Sequence, residues 1–577
     1  MPVLQSKRLL AACSRLLPIS FCAALLIGTA APSTTLYAAA PHDQIDDQIA
    51  RMTLEQRIGQ LFIIRFWGKV DNDSVQALID TIHPGGAVLV PDNISDPVQV
   101  SALTSSLQTR SVASDGVPLL ITTDQEGGRV QRLQNGFTRL PRPLVLGAAT
   151  APVVSDYGRM VGTELQAVGL NMDLAPVVDL DTTPNSSLLQ GRTFGDNPQQ
   201  TGQTVAAFID GMRQANVVTA AKHFPGHGDA ADSHDDTSYL NYDLARLRSV
   251  EMVPFQLANA PIILISHLTV PALDPDRIPS SLSPKVVQYL RGPLGYDGVL
   301  MTDALDMRSI SRYYTYADAS IRAISAGVDL VLLGSYTLNN QQIGAYQATV
   351  AAVRSGKIPE ATINAAVRRI LTLKQTYHIL DWQPPTAADA PARIAAAQGD
   401  AVLQTVYNAA VTVVRNTNGL LPIRADQRVL LIVPKVYPTL LQSCQQHIGT
   451  LTTALTSYGS DLPVLSYEPG EAAALARKAD VVIAFTDDAQ HDSSQRTLIQ
   501  NLPAAKTIVV ALSSPYDLKG FPAIGAYVLA YNPLDPAFNA ACAVIAGQQP
   551  APGILPIRLL SEAIAGENAA RKALPTF

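Results

Sequence analysis

The sequence predicts an α/β protein in two parts, an N-terminal (β/α)8 barrel of the TIM type followed by a smaller αβα sandwich domain. Three observations carry that prediction. Eight short apolar runs alternate with amphipathic segments between residues 45 and 380. The Pro- and Ala-rich stretch DWQPPTAADAPARIAAAQ then breaks the alternation, and a second, shorter series of apolar runs follows it. At 577 residues the chain also exceeds what one core accommodates. The predicted boundaries are 41–380 for the barrel, 381–399 for a linker and 400–577 for the second domain.

The first forty residues have a basic start (Lys7, Arg8, Arg15), an apolar stretch and small residues toward Ala38-Ala39-Ala40. This is the pattern of a secretory signal peptide, or of an N-terminal anchor if it is retained. The expected location is therefore outside a bacterial cytoplasm. No later apolar run is long enough to span a bilayer.

The elements of the barrel follow in order. Thr53-Leu54-Glu55-Gln56 is a capping-box pattern that opens a helix. The strands expected after it are LFIIRF (61–66), GAVLV (86–90), PLLITTD (118–124), LNMDLAPVVDL (170–180), VVTAAKHF (217–224), IILISH (262–267), GVLMTD (298–303) and VDLVLLG (328–334). Ser283-Pro284 marks one of the intervening helix starts, with a side-chain cap and a Pro at the first helical position. In the second domain VLLIVP (429–434), DVVIAFTD (480–487), TIVVALSSP (507–515) and AYVLAYN (526–532) predict a parallel sheet flanked by helices.

Composition narrows the function classes. Hydrophobic residues make up 47% and charged residues 16%, and the formal net charge is -6. Without the leader's three basic residues, 39 basic residues face 48 acidic ones. Nothing in this balance favours nucleic acid or an anionic lipid surface. Outside the leader only Cys444 and Cys542 remain, and an oxidising compartment would allow them to pair.

Polar residues gather at the ends of the expected strands. Asp124, Lys222, His223, His267 and Asp303 all fall at C-terminal ends, which a barrel brings to one face. Asp303 can attack a carbon electrophile or stabilise positive charge; it can equally cap the next helix. The loop KHFPGHGDAADSHDDTS (222–238) holds Asp232 and His234 two apart, a pair in which the carboxylate fixes one ring nitrogen and leaves the other to exchange a proton. His227 and Asp229 repeat the idea. Three His and four Asp in one loop also make metal binding a rival, although no HExxH or EF-hand spacing supports it. DQEGGRVQRL places Arg129 and Arg132 just beyond Asp124, and GRTFGDNP adds Arg192; guanidinium and carboxylate groups together can grip vicinal hydroxyls, or brace loops as salt bridges.

Taken together, DQEGGRVQRL, GRTFGDNP, KHFPGHGDAADSH and MTDALDM resemble glycoside hydrolase family 3, and within it the β-N-acetylglucosaminidases. The resemblance extends more weakly to AAVTVVRNTNGLLPI (409–423), which is similar to the opening of that family's second domain. It implies that Asp303 is the nucleophile of a retaining reaction and that His234, oriented by Asp232, is the acid/base. It implies that Asp124, Arg132, Arg192, Lys222 and His223 hold the sugar, with a carbohydrate substrate and neither metal nor organic cofactor. The competing expectations are a β-glucosidase of the same family, using a glutamate of the second domain (Glu468, Glu471, Glu562 or Glu567), and a catalytically inactive wall-binding protein.

Overall fold

The computed structural model describes residues 44–182, 188–232, 236–417, 419–434, 436–448, 453–458 and 469–559. The expected signal peptide and His234 lie outside the described residues, as do Glu468, Glu562 and Glu567. Among the described residues no helix is long and apolar enough to cross a membrane.

Eight parallel strands form the first sheet: β1 (Phe62–Arg65), β2 (Gly86–Val88), β3 (Leu120–Thr123), β4 (Met172–Asp173), β5 (Val218–Phe224), β6 (Ile262–Ile265), β7 (Val299–Thr302) and β8 (Val331–Leu332). They run β8-β1-β2-β3-β4-β5-β6-β7, and a parallel bridge between Met301 and Leu330 joins the two ends into a barrel. Every residue of these eight strands is buried, as in parallel strands covered by helices. The helix starts read from the sequence are built as expected. Thr53 Oγ1 accepts from the Gln56 amide at 3.1 Å while Gln56 Oε1 accepts from the Thr53 amide at 2.9 Å. Ser283 Oγ accepts from the Val286 amide at 3.2 Å, opening the helix Pro284–Arg291.

The run at 170–180 departs from expectation, because it is not one strand. β4 keeps only two residues, and Pro176 follows it, lacking the N–H that a continuous ladder needs. Pairing resumes as a single bridge between Val177 and Lys222, which leaves the chain extended as far as Asp179. That detour brings Asp179 to the mouth of the barrel.

The second sheet has six strands: β9 (Thr412–Asn416), β10 (Val429–Pro434), β11 (Thr453–Tyr458), β12 (Val481–Thr486), β13 (Thr507–Ala511) and β14 (Ala526–Leu529). Their order is β9-β14-β13-β12-β10-β11, with α-helices connecting β10 to β11, β11 to β12 and β12 to β13. The four strands expected from the sequence, β10, β12, β13 and β14, are parallel to one another, and β9, which was not expected, pairs antiparallel with β14 at the edge. The helix Gly399–Ala410 ends one residue before β9, and no crossover sets that strand's direction. Cys444 and Cys542 form a disulfide between the helices Pro438–Ile448 and Asp535–Ile545.

Two segments tie the sheets together. The 381–399 stretch contains the helix Ala390–Ala396, whose Ala390 and Ile394 are buried and whose Arg393 Nη2 donates to Ala167 O at 2.7 Å. After the last helix the chain returns to the barrel, where Ile554 N donates to Ala148 O at 3.0 Å and Asp196 N to Pro556 O at 3.0 Å.

Candidate active site

The C-terminal ends of the barrel strands open on a cleft of about 600 Å³. Asp124, Glu126, Arg132, Arg192, Lys222, His223, Asp303 and Asp306 line it. Six of these are residues singled out from the sequence, arriving from four different strands. Convergence of this kind is what parallel closure does to polar strand ends.

The wall after β3 is set by a tight ribbon, Gln125–Gly127 against Val130–Gln131. Gly127 turns it with φ 93°, and a Cβ there would lie 2.4 Å from Pro141 O. The Gln125 amide donates to Asp173 Oδ1 at 3.0 Å, fixing the ribbon to the end of β4. Glu126 is thereby aimed inward. Its carboxylate takes two hydrogen bonds from Arg192, from Nε and Nη2 at 2.7 Å each, and sits 2.7 Å from Lys222 Nζ. Burial raises the Glu126 pKa, but Lys222 and Arg192 more than reverse it and hold the group well below the usual carboxylate range. The same network acts on Lys222: burial opposes its charge, while Asp124 and Glu126 outweigh burial and keep it firmly protonated.

Asp124 is the partly open member of this network. Lys222 Nζ donates to its Oδ1 at 2.9 Å, and Arg132 Nη2 stands 3.7 Å from its Oδ2. Side-chain exposures of 27% for Asp124 and 34% for Arg132, against 1% for Glu126, separate the groups able to meet a ligand from their buried counter-ion. Arg192 lines the cleft, yet its Nε and Nη2 are engaged in bracing Glu126.

His223 is oriented from behind. Its Nδ1 donates to Asp179 Oδ2 at 2.6 Å, so the neutral ring has its other nitrogen, Nε2, as an acceptor. Asp179 also accepts from the His227 amide at 2.7 Å, which holds the PGHG turn over the strand end. Burial pushes the Asp179 carboxyl up, but His223 and His227 prevail and hold it below its ordinary value.

Asp303 follows β7 directly, and its amide donates to Ile265 O at 3.0 Å as a continuation of the ladder. Its Oδ1 accepts from the Ala304 amide at 2.8 Å. His267, an expected strand-end residue, lies behind this corner and is fully buried. Its Nε2 donates to Ala304 O at 2.8 Å and its Nδ1 pairs with Ser281 Oγ at 2.7 Å, so it supports the backbone next to Asp303. Asp306, across the turn, accepts from the Tyr336 amide at 2.7 Å; burial first, then the neighbouring Asp303, raise its pKa.

Of the Asp232 and His234 pair expected from the sequence, only Asp232 lies among the described residues, and it is half-buried. Burial lowers the His227 pKa, against the opposing charges of Asp179, Asp232 and Asp303. Asp232 and Asp303 therefore act on the same imidazole. Among the described residues no group of three or more His, Cys, Asp or Glu is placed to hold a metal ion.

Sequence reasoning missed Glu126, Asp179 and Asp306 as site residues. Asp179 carried a usable signal, since it ends an apolar run just as Asp124 and Asp303 do. Glu126 and Asp306 sit two and three residues past strand-end acids, and only the turn geometry shows which way they face.

A (β/α)8 barrel with carboxylates, cationic groups and imidazole gathered at its open mouth has the layout of an enzyme active site. Residues 53–373 match the N-terminal domain of glycosyl hydrolase family 3, and the chain belongs to that family and is a hydrolase enzyme. It is 28% identical to beta-hexosaminidase A of Pseudoalteromonas piscicida over 88% of this chain and 97% of that protein. A shorter beta-hexosaminidase of Pseudomonas aeruginosa is 37% identical over 44% of this chain and 76% of its own length. Among solved structures, a family 3 beta-N-acetylglucosaminidase from Paenibacillus sp. str. FPU-7 superposes with a TM-score of 0.72 at 30% identity, covering 88% of this chain and 99% of that one.

Proposed function

We propose that this enzyme is an exported, retaining exo-glycosidase that removes terminal, non-reducing β-linked N-acetylglucosamine from cell-wall muropeptide or chito-oligosaccharide fragments. Asp303 attacks the anomeric carbon and forms a covalent glycosyl-enzyme; water then releases the sugar with net retention. His234, oriented by Asp232, protonates the leaving oxygen and later takes the proton of the attacking water. Asp124, Arg132, Arg192, Lys222 and His223 hold and frame the sugar, with Lys222 Nζ orienting the Asp124 carboxylate toward hydroxyl groups. The reaction in this reading needs no metal or organic cofactor.

The observation that supports this reading is the cleft at the barrel mouth, where the Asp303 carboxylate shares one wall line with Asp124, Arg132, Arg192, Lys222 and His223. The Cys444–Cys542 disulfide supports export, since such bonds persist in oxidising compartments. Sugar identity is supported by the likeness to proteins named beta-hexosaminidase and beta-N-acetylglucosaminidase. Parallel assays on a chromogenic β-N-acetylglucosaminide and the matching β-glucoside decide it. Preference for the N-acetylated substrate is expected, and a strong preference for the glucoside overturns the assignment.

A further inference from the structure

The loop that leaves β5 is fastened at two places. Ser238 Oγ donates to Ala231 O at 2.7 Å, which joins the two arms of the loop at a neck. Ser238 is 2% exposed, and the chain around it is pinned to the segment after β6: Thr269 N donates to Ser238 O at 2.8 Å, and Leu240 N to Thr269 O at 3.0 Å. Asp232 stands on the leading arm just past this neck, and Asp236 on the returning arm just before it.

Asp236 is the second point of attachment. Its Oδ2 accepts from Arg312 Nη1 at 2.7 Å and its Oδ1 from the Tyr313 hydroxyl at 3.0 Å. Hydrogen bonds from the Thr237 amide and from Tyr313 hold its carboxyl below the ordinary value, so it stays an acceptor for both donors. The donors have a firm base. They follow the helix Arg308–Ser311, whose Ser309 and Ile310 are buried, and Tyr313 N donates to Ile310 O at 2.9 Å. That helix comes shortly after Asp303, and its first residue, Arg308, lines the catalytic cleft. The returning arm is therefore tied to the segment that carries Asp303.

This contact is poorly suited to holding the fold together. Arg312 and Asp236 have side chains 61% and 52% exposed, and ion pairs that open to water contribute little to folding. It is better suited to choosing among the placements of a short stretch whose neck is already closed, where little entropy is left to remove. Two donors on one carboxylate fix its direction as well as its position.

We propose that Arg312 and Tyr313 are positioning residues for proton transfer: by holding Asp236 they set the returning arm of the loop, and with it the Asp232 and His234 pair, against the segment bearing Asp303. The inference rests on the proposed acid/base role of His234 and names what sets that residue's place. The test is kcat/KM, which reports formation of the glycosyl-enzyme, for the wild type, Asp236→Ala, His234→Ala and the two combined. One substrate is a dinitrophenyl β-N-acetylglucosaminide, whose leaving group needs little protonation; the other is the neutral disaccharide of N-acetylglucosamine, whose leaving group needs much.

Asp236→Ala should lose roughly tenfold on the disaccharide and stay within about twofold on the dinitrophenyl substrate. In the His234→Ala background the same substitution should cost less than about twofold on the disaccharide, because the group it acts through is gone. Arg312→Gln with Tyr313→Phe should reproduce Asp236→Ala, and Arg312→Lys should fall between. Equal losses on both substrates, or a loss of the same size with and without His234, make the contact structural and overturn the proposal. If His234→Ala shows no dependence on the leaving group, the acid/base reading fails and this inference falls with it. If His234→Ala shows that dependence and Asp236→Ala does not, the positioning role alone is overturned.

Discussion

The two sheets of this enzyme are built on the same plan and do different things with it. Both are dominated by parallel strands whose carboxyl ends carry polar residues. In the barrel those ends converge from all sides, so Asp124, Lys222, His223 and Asp303 reach one cleft. In the second sheet the strands lie side by side, and Asp487, Ser513 and Asn532 form a row along an edge. Closure concentrates groups around one point; an open edge spreads them along a line. The comparison teaches that position on a strand becomes chemistry only through the curvature of the sheet.

The largest expected effect is the sharpest test of that contrast. Asp303→Ala should lower turnover by at least about three orders of magnitude while leaving the circular dichroism spectrum unchanged. Asp487→Ala, the matching strand-end substitution in the open sheet, should leave hydrolysis of a small chromogenic substrate within about twofold. Comparable losses from both would erase the distinction. His234→Ala should cost roughly 10²- to 10⁴-fold on glycosides with poor leaving groups and far less on those with good ones, which need little protonation. Steady-state kinetics across a leaving-group series reads this directly, and a uniform loss would remove His234 from proton transfer.

Stability effects come next. Glu126→Ala strands Arg192 without its buried counter-ion and leaves Lys222 only the partly open Asp124, and breaking such a pair costs about 3–5 kcal/mol. Denaturant unfolding followed by circular dichroism should show that loss. Replacing Cys444 and Cys542 by Ser opens a linkage that spans 98 residues, and should cost the second sheet about 2–5 kcal/mol while the barrel keeps its activity on the small substrate. Separate unfolding transitions for the two parts would show this.

The smallest effect is one of pH. Asp173 is fully buried at the end of β4, and burial, against the Gln125 amide and Lys222, raises its pKa to about 7. The folded carboxyl therefore holds its proton where the unfolded one, near 3.8, has released it. Stability from this group falls as pH rises between those values, with the penalty complete above about 7. Asp173→Asn keeps an acceptor for the Gln125 amide and should flatten the difference in urea midpoint between pH 5 and pH 8.

The eight barrel strands were readable because each is a short apolar run bounded by turn residues, and the run determines burial on both faces. The ends of those runs announced Asp124, Lys222 and Asp303 for the same reason. Pro176 split a run whose apolar content spoke for one strand, and β9 escaped notice because its alternating burial follows a helix without a turn signal. Glu126 and Asp179 were hidden for a different reason. Their partners, Lys222, Arg192 and His223, lie 44 or more residues away, and only closure of the barrel brings them into contact.

The central claim is that Asp303 carries the sugar as a covalent intermediate. Rapid denaturation of the enzyme during turnover of a slow β-N-acetylglucosaminide, followed by peptide mass spectrometry, tests it most directly. The account predicts one added N-acetylhexosamine on the peptide containing Asp303 and none in Asp303→Ala. A sugar attached to a different carboxylate, or a product released with inverted configuration, would contradict it.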